Sequence, residues 1–134
     1  GEARNRLGDV MADSLRKRQP DSPESALAAE RARPLRAPVL IAVGVDRPSE
    51  PKVQEIENVC AAAAAVENML LAAHALGLGA MWRTGPAALD PAVKAWLGFE
   101  PGQHLIAFVY IGYPDMEPGP IERPSFEDRT IWKE

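Results

Sequence analysis

The sequence predicts a single domain of mixed α and β structure that is built around one long helix. Residues 59–76 are nearly all Ala, Leu, Met and Val and contain no Pro, which strongly favours a helix. Two shorter apolar runs, 37–45 and 104–114, are rich in β-branched and aromatic residues, as buried strands are. A chain of 134 residues is of ordinary length for one domain.

The chain before the first strand predicts two helices. Within residues 3–18, apolar side chains recur at helical spacing on an otherwise charged segment. A second, shorter helix is predicted to start with Ser22 as the N-cap and Pro23 at the first helical position. It should stop before Pro34, because the residue that precedes a proline disfavours the helical conformation. The run 37–45 then forms the first strand.

The central helix is predicted to begin near residues 53–56 and carries three polar side chains, Glu67, Asn68 and His74. The rest of the run is apolar nearly all round, so we expect the helix to be buried on most sides. The single cysteine, Cys60, is then expected to be a small core residue. Ala is only weakly apolar and two polar residues interrupt the run, so we interpret it as a core helix and not as a membrane span.

Gly77 and Gly79 are predicted to end the central helix, because glycine adopts positive φ without a Cβ clash. A short strand over residues 80–85 follows and carries an aromatic, a cationic and a hydroxyl side chain. Asp90, which precedes a proline, predicts the N-cap of a further short helix. The run 104–114 forms the last strand.

The C-terminal part of the chain is rich in Pro but also contains large apolar side chains, namely Ile121, Phe126, Ile131 and Trp132. We expect residues 115–134 to be an extended arm that docks on a partner subunit, with a frayed terminus as the alternative. The predicted organisation is a core of residues 1–114 followed by this arm.

Composition and motifs exclude several function classes. A net charge of −4 argues against nucleic acid or an anionic membrane as the partner. A lone cysteine and the lack of signal-peptide and lipidation motifs in the sequence favour a reducing, cytoplasmic location. His74 and His104 are far apart and no Cys/His spacing indicates a metal site. The sequence also lacks a nucleophile elbow, a P-loop and a dinucleotide fingerprint, so it suits a scaffold that holds a separate cofactor.

The order of the motifs resembles the nitroreductase family of flavin enzymes. The segments are APVLIAVGV, ENMLLAAHALGLG, AMWRTG, DPAVKAWLG and IAFVYIGYP, and the helix end followed by W-R-T-G is similar to the YdjA-like subgroup. The resemblance covers residues 1–114. It implies an α+β fold with a mixed, mostly antiparallel sheet flanked by helices, around a long central buried helix.

The same resemblance implies a function. Members are FMN-dependent NAD(P)H oxidoreductases that pass hydride equivalents, by a ping-pong reaction, to small-molecule acceptors such as nitroaromatics and quinones. They are homodimers with FMN sites at the interface. The resemblance therefore implies FMN and NAD(P)H as cofactors for this chain, with a second copy as its partner.

The resemblance also assigns candidate cofactor-binding residues. Trp82, Arg83 and Thr84 match the subgroup's W-R-S motif that contacts FMN, and Thr keeps the hydroxyl of Ser. Backbone N–H groups there would face the flavin N5 edge, with the charge of Arg83 and the flat wall of Trp82 beside it. The segment that matches the subgroup's nicotinamide-cofactor stretch is Ala72, Ala73, His74, Ala75, Leu76 and Gly77. No catalytic side chain and no metal ligand are assigned.

In the family, an N-terminal segment with an arginine run binds the FMN phosphate, and these 134 residues do not contain it. Phosphate recognition normally needs Arg, Lys or a helix N-terminus. We therefore expect weak or absent FMN affinity and impaired activity from these residues alone, whether they are a fragment or a natural short form. The alternative to an enzyme is a non-catalytic dimeric domain, derived from the family, that serves as a binding module.

Overall fold

The computed structural model describes residues 1–116 and 119–133. Within them it shows an α+β domain of five helices and three strands, which confirms the predicted fold class. The elements in chain order are α1 Glu2–Arg18, α2 Glu24–Ala32, β1 Val39–Val45, α3 Glu55–Ala75, β2 Gly79–Arg83, α4 Pro86–Leu89, α5 Pro91–Trp96 and β3 His104–Gly112. The four-residue helix α4 has no counterpart in the sequence-based prediction.

The three strands form one antiparallel sheet in the order β1-β3-β2. In the register, Ile41 of β1 lies opposite Val109, and Met81 of β2 lies opposite Tyr110. The last strand of the chain is therefore the central strand of the sheet, and β1 and β2 are edge strands among the described residues. The outer edge of β2 thus presents backbone N–H and C=O groups that no described strand pairs with.

Helices cover both faces of the sheet. On one face, α1, α4 and α5 bury a cluster that includes Phe108 of β3. On the other face, Val66 of α3 packs against Ala107 and Val109. Because side chains alternate along a strand, neighbouring residues of β3 contribute to two separate cores.

The start of α2 differs from its prediction. The helix begins at Glu24 with Pro23 at the N-cap and without a side-chain cap hydrogen bond, so the assignment of Ser22 as N-cap is wrong. Arg31, near the other end of the helix, donates instead to the Glu24 carboxylate at 2.8 Å. The charges of this exposed ion pair stabilise the first turn of α2.

The central helix begins and ends where local signals place it. The backbone N–H of Gln54 donates to the Glu57 carboxylate at 2.8 Å, as part of a reciprocal capping box. At the other end Gly77 has φ +72°, and the N–H of Leu78 bonds the carbonyl of Ala73 at 2.9 Å. Gly79, also predicted to end the helix, is instead the first residue of β2 and has no positive φ.

The expected burial of α3 on most sides is not met within a single chain. Only Val66 and Ala73 are buried, whereas Ile56 is 64% and Leu71 58% exposed. Cys60 is exposed, so its interpretation as a core residue is wrong for one chain. By length and composition alone α3 could also cross a membrane, but helices of soluble cores pass the same test. One face of this helix carries apolar surface that the chain itself leaves uncovered.

In the described part of the C-terminal arm, Glu127–Arg129 forms a 3-10 turn, and the large apolar side chains are exposed. They include Phe126 at 66% and Trp132 at 82% exposure. Residues 117, 118 and 134 of the predicted arm lie outside the described residues. Docking of the arm on a partner subunit stays a prediction.

Candidate functional site

The nicotinamide-associated stretch forms the last turn of α3 and its glycine cap. Its residues are Ala72, Ala73, His74, Ala75, Leu76 and Gly77, and all except Ala73 are exposed. The N–H of Leu76 bonds the carbonyls of Ala72 and Ala73, and that of Gly77 bonds His74. These amides are used within the helix end, so the stretch offers a ligand exposed side chains and not a cradle of free N–H groups.

Trp82 is held in a fixed orientation on β2. Its indole N–H donates to the main-chain carbonyl of Ile106 at 3.1 Å, across the central strand. The ring is half-buried against the cluster formed by Val66, Ala107 and Val109. The side chain therefore lies on the face of the sheet that packs against α3.

The next two residues are more accessible. Arg83 and Thr84 are both exposed, and Gly85 with φ +88° turns the chain into α4. Arg83 lies on the opposite face of β2 from Trp82, because successive side chains alternate along a strand. The two side chains expected around one flavin edge, those of Arg83 and Trp82, therefore lie on different sides of the strand. The backbone of residues 82–84 lies between them.

A cleft of about 520 Å³ opens beside β2. It is lined by most of β2, by part of β3 and by residues before β1 and after β3, among them Arg36, Pro38, Met81, Arg83, Tyr110 and Pro114. Apolar walls with a few cationic and hydroxyl groups, at this size, are typical of sites for small organic ligands. The cleft suits a flat, partly apolar molecule that carries a negative charge. Sequence reasoning missed Arg36 and Tyr110, since neither belongs to a recognisable motif.

A buried carboxylate supports the loop that follows Thr84. Asp90 caps α5 by accepting hydrogen bonds from the N–H groups of Ala92 and Val93 at 2.9 and 3.2 Å. It also accepts a hydrogen bond from the buried hydroxyl of Ser14 on α1. Burial raises the pKa of Asp90, but these hydrogen bonds and the charge of Arg18 outweigh it and hold the pKa below its usual range. The cap was predicted, whereas its bond to Ser14 was not.

The two histidines lie beside opposite ends of α3. His104 begins β3 and hydrogen-bonds the Glu55 carboxylate at the start of α3, and this bond holds the pKa of Glu55 below its usual range. His74 is exposed near the other end of the same helix. Among the residues that the structure describes, no three metal-ligating side chains come together.

Comparison with known proteins supports the resemblance. The sequence profile of the Nitroreductase family matches residues 1–113. The Escherichia coli K12 protein YdjA, whose name assigns it provisionally as an NAD(P)H nitroreductase, is 31% identical over 117 residues. This match covers 87% of the present chain and 63% of YdjA, so the chain spans less than two thirds of the length of that relative.

Solved structures agree with the sequence match. The crystal structure of a nitroreductase-like family protein from Bacillus cereus matches with a TM-score of 0.82 at 25% identity, over all of this chain and 70% of that one. A provisionally assigned nitroreductase from Desulfovibrio desulfuricans, solved in complex with FMN, matches with a TM-score of 0.61 at 30% identity. The second match covers 88% of this chain and 60% of that one. Both matches confirm a nitroreductase-like α+β fold.

Proposed function

The chain belongs to the nitroreductase family, and on this premise we propose that it acts as an FMN-dependent NAD(P)H oxidoreductase. Its acceptors would be small molecules such as nitroaromatics or quinones, reduced in a ping-pong reaction. The observation that carries the proposal is the position of Trp82, Arg83 and Thr84 at the end of the edge strand β2, where Arg83 lines the 520 Å³ cleft.

The residues present fit FMN in three respects. The unpaired edge of β2 offers main-chain donors and acceptors to the polar edge of a flavin. Met81 and Pro38 supply apolar wall in the cleft, and Arg83 supplies positive charge. When bound, FMN supplies reversible two-electron chemistry, taking a hydride from NAD(P)H and passing reducing equivalents to the acceptor. The residues of the chain bind and orient the FMN and place a positive charge near its ring.

The exposed end of α3 is the proposed nicotinamide-side surface. Leu76 and His74 project from the last helical turn, close in sequence to the start of β2. Their side chains, and not their hydrogen-bonded amides, are available to a dinucleotide. A ping-pong reaction needs only one such surface, because the donor leaves before the acceptor binds.

The proposed assembly is a homodimer. The uncovered side of α3 carries many apolar or small residues, with Ile56, Cys60, Ala64, Leu71 and Ala75 all exposed, and the exposed Glu67 and His74 lie on the same side. Small side chains allow the backbones of two helices to approach closely. We propose that a second copy of the chain covers this face and that the C-terminal arm adds to the contact, with FMN bound near the seam.

Two further parts of the proposal concern the cellular compartment and the strength of FMN binding. The lone, exposed Cys60 fits a reducing compartment, so we assign the protein to the cytoplasm. Relatives at full length carry residues that this chain does not span, so we expect the 134 residues to bind FMN weakly and to need it in excess.

The deciding experiment is NAD(P)H oxidation by the purified chain with excess FMN and a nitroaromatic acceptor. We expect oxidation above that given by free FMN, and loss of this excess rate in Arg83→Ala. The matched control is Arg6→Ala, since Arg6 is an exposed arginine on α1 whose ion pair among the described residues is with Glu2. Circular dichroism verifies that both variants fold.

A chain that forms a dimer but gives no rate above free FMN would favour the second candidate, a non-catalytic binding module derived from the family. The exposed apolar face of α3 is the observation in favour of that candidate, because it serves dimerisation whether or not a cofactor binds. The flavin absorbance spectrum separates the two further, since only an FMN protein perturbs the visible bands.

A further inference from the structure

Tyr110 lies between the large cleft and a much smaller cavity. It is opposite Met81 of β2 in the sheet, and its ring packs against the hydrophobic cluster on the face away from α3. The 520 Å³ cleft and a cavity of about 20 Å³ share three lining residues, which are Arg36, Arg83 and Tyr110. The side chain of Tyr110 is therefore in contact with both spaces.

Of these three residues, only Tyr110 can pass a proton from one space to the other. A guanidinium group is not deprotonated in proteins, whereas a phenol both donates and accepts a proton. Within residues 1–116 and 119–133, the Tyr110 hydroxyl makes no hydrogen bond, yet no buried side-chain polar atom in those ranges lacks a partner. The hydroxyl oxygen is therefore accessible and not sealed in the core.

The small cavity has the size and the lining that hold one water molecule. A water needs roughly 10–15 Å³ of such space and a few polar partners. Polar partners come from Arg33, from the hydroxyl of Thr84 and from Tyr110 itself, beside apolar side chains such as Met11. Because Thr84 is exposed, a water at this position exchanges with the solvent.

The proposed reaction needs a proton that its hydride donor does not supply. Reduction of a quinone to a hydroquinone takes up two electrons and two protons. The hydride from NAD(P)H carries both electrons and one of the protons, so an acceptor oxygen takes the second proton from another group. That oxygen is a phenolate, and the side chain of tyrosine is also a phenol. Two oxygens of similar basicity exchange a proton at little cost in free energy.

We propose that Tyr110 is the proton donor of the reaction, with its hydroxyl protonating the oxygen of a quinone-like acceptor in the cleft and a water in the small cavity returning a proton from solvent. The O–H bond of Tyr110 breaks as an O–H bond forms on the acceptor, and the tyrosinate is then reprotonated. This role rests on the proposed function, and it identifies the substrates as acceptors that take up a proton together with the hydride.

The charges around Tyr110 suit this role. Burial raises the pKa of its hydroxyl, so the group carries its proton at neutral pH. Positive charges stabilise the tyrosinate that remains after the transfer, and among them Arg36 lowers the pKa most. The charged groups that act on the hydroxyl or line the cleft beside it are Arg33 and Arg36 before β1, Arg83 of β2, Glu30 of α2 and Asp115 after β3.

The test isolates the half of the reaction in which the acceptor is reduced. The chain is kept in excess over FMN so that most of the flavin is bound, is reduced without oxygen, and is mixed by stopped flow with benzoquinone or with ferricyanide. Benzoquinone takes up a proton, whereas ferricyanide takes up an electron alone. The ratio of the quinone rate to the ferricyanide rate should fall by about 100-fold in Tyr110→Phe, as loss of a general acid predicts.

The matched control is the other tyrosine of the chain. Tyr113 is 84% exposed and is not part of the lining of the small cavity, so Tyr113→Phe should keep the wild-type ratio of the two rates.

A second measurement needs no flavin. In Tyr113→Phe the one remaining tyrosine is Tyr110, so the rise of phenolate absorbance in an alkaline titration reports the pKa of that residue. Adding Arg36→Gln should raise this pKa further, because it removes the positive charge that lowers the pKa most. Adding Arg6→Gln, at an exposed arginine of α1, should leave the pKa unchanged.

The outcomes separate the proton donor from the proposed function. If the wild-type chain speeds both acceptors over free FMN and Tyr110→Phe keeps the wild-type ratio, Tyr110 is not the donor and the proposed function stands. If the wild-type chain speeds neither acceptor, the proposed function fails and the donor role falls with it. A pKa that Arg36→Gln leaves unchanged would also overturn the role, because the tyrosinate would then lack its stabilising charge.

Discussion

Ser14 donates its hydroxyl hydrogen to the carboxylate of Asp90, which lies 76 residues later in the chain. Both side chains are buried, and no described buried side-chain polar atom lacks a partner. The bond connects α1 to the N-terminus of α5, and α5 follows β2 in the chain after the short helix α4. The N-terminal helix thereby helps to hold part of the site in place, and its Met11 lines a small cavity together with Arg83 and Thr84.

The first prediction is that Ser14→Ala destabilises the domain by about 2 kcal/mol, because it removes a hydrogen bond to a buried charged group. Ser25→Ala, on the exposed side of α2, is the control and should change the free energy of unfolding little. Urea unfolding at pH 7 measures both variants. Equal stability of the two would mean that the Ser14 bond is not formed in solution.

A second prediction concerns the pH dependence of stability. Since the folded pKa of Asp90 is lowered, its contribution is fully present above the unfolded pKa and is lost as the pH falls through the folded pKa. Ser14→Ala should raise the folded pKa, so its deficit in unfolding free energy should shrink as the medium becomes acidic. Urea unfolding from about pH 7 down to about pH 3 follows this change. A deficit that is constant with pH would contradict the assignment.

A third prediction tests the hydrogen bond between His104, at the start of β3, and Glu55. The hydrogen bond from His104 lowers the pKa of Glu55, so His104→Ala should return that pKa towards its ordinary value. The side chains of His104 and Glu55 are 43% and 47% exposed, and we therefore expect little change in stability. Carboxyl chemical shifts followed by NMR report the titration. The control is His74→Ala, near the opposite end of α3; an equal effect there would exclude a specific bond.

Local signals predicted the elements of this fold well. The helix end at Gly77 and the cap at Asp90 depend on neighbours within four residues, and each is present in the structure. The apolar run of β3 likewise identified a buried strand, though its position in the centre of the sheet was not derivable from that run. The errors at Ser22 and Gly79 are also local, because two residues compete there for one capping role.

What the sequence could not show depends on distant contacts. Arg36 and Tyr110 meet in one cleft only because of the strand order and register, and Ser14 reaches Asp90 only because α1 packs beside α5. The burial of α3 was predicted from composition, but composition does not distinguish a face covered by the same chain from one covered by another. The candidate residues Trp82 and Arg83 came from a resemblance, and their contact with a cofactor stays a prediction.

A fourth prediction concerns the uncovered face of α3. Leu71→Arg places a charge in the proposed dimer contact and should convert a dimer into monomers, measured by sedimentation velocity. Leu89→Arg makes the same change at a residue on α4 that is 80% exposed and on the opposite side of the sheet, so it should leave the dimer intact. A dimer that survives the first change, or that is lost with the second, would place the interface elsewhere.

The last prediction uses the protein's tryptophans to locate the flavin. Trp82 is fixed by its bond to Ile106 and lies in the proposed flavin-contacting segment, so bound FMN should quench its fluorescence strongly. Trp82→Phe should therefore remove most of the FMN-dependent quenching. Trp96→Phe alters a tryptophan on α5, outside that segment, and should remove little of it. Since Phe cannot donate to the Ile106 carbonyl, Trp82→Phe should also cost about 1 kcal/mol of stability, so titrations are compared at a temperature where both variants are folded. Quenching that disappears with Trp96→Phe and persists with Trp82→Phe would place the flavin away from residues 82–84.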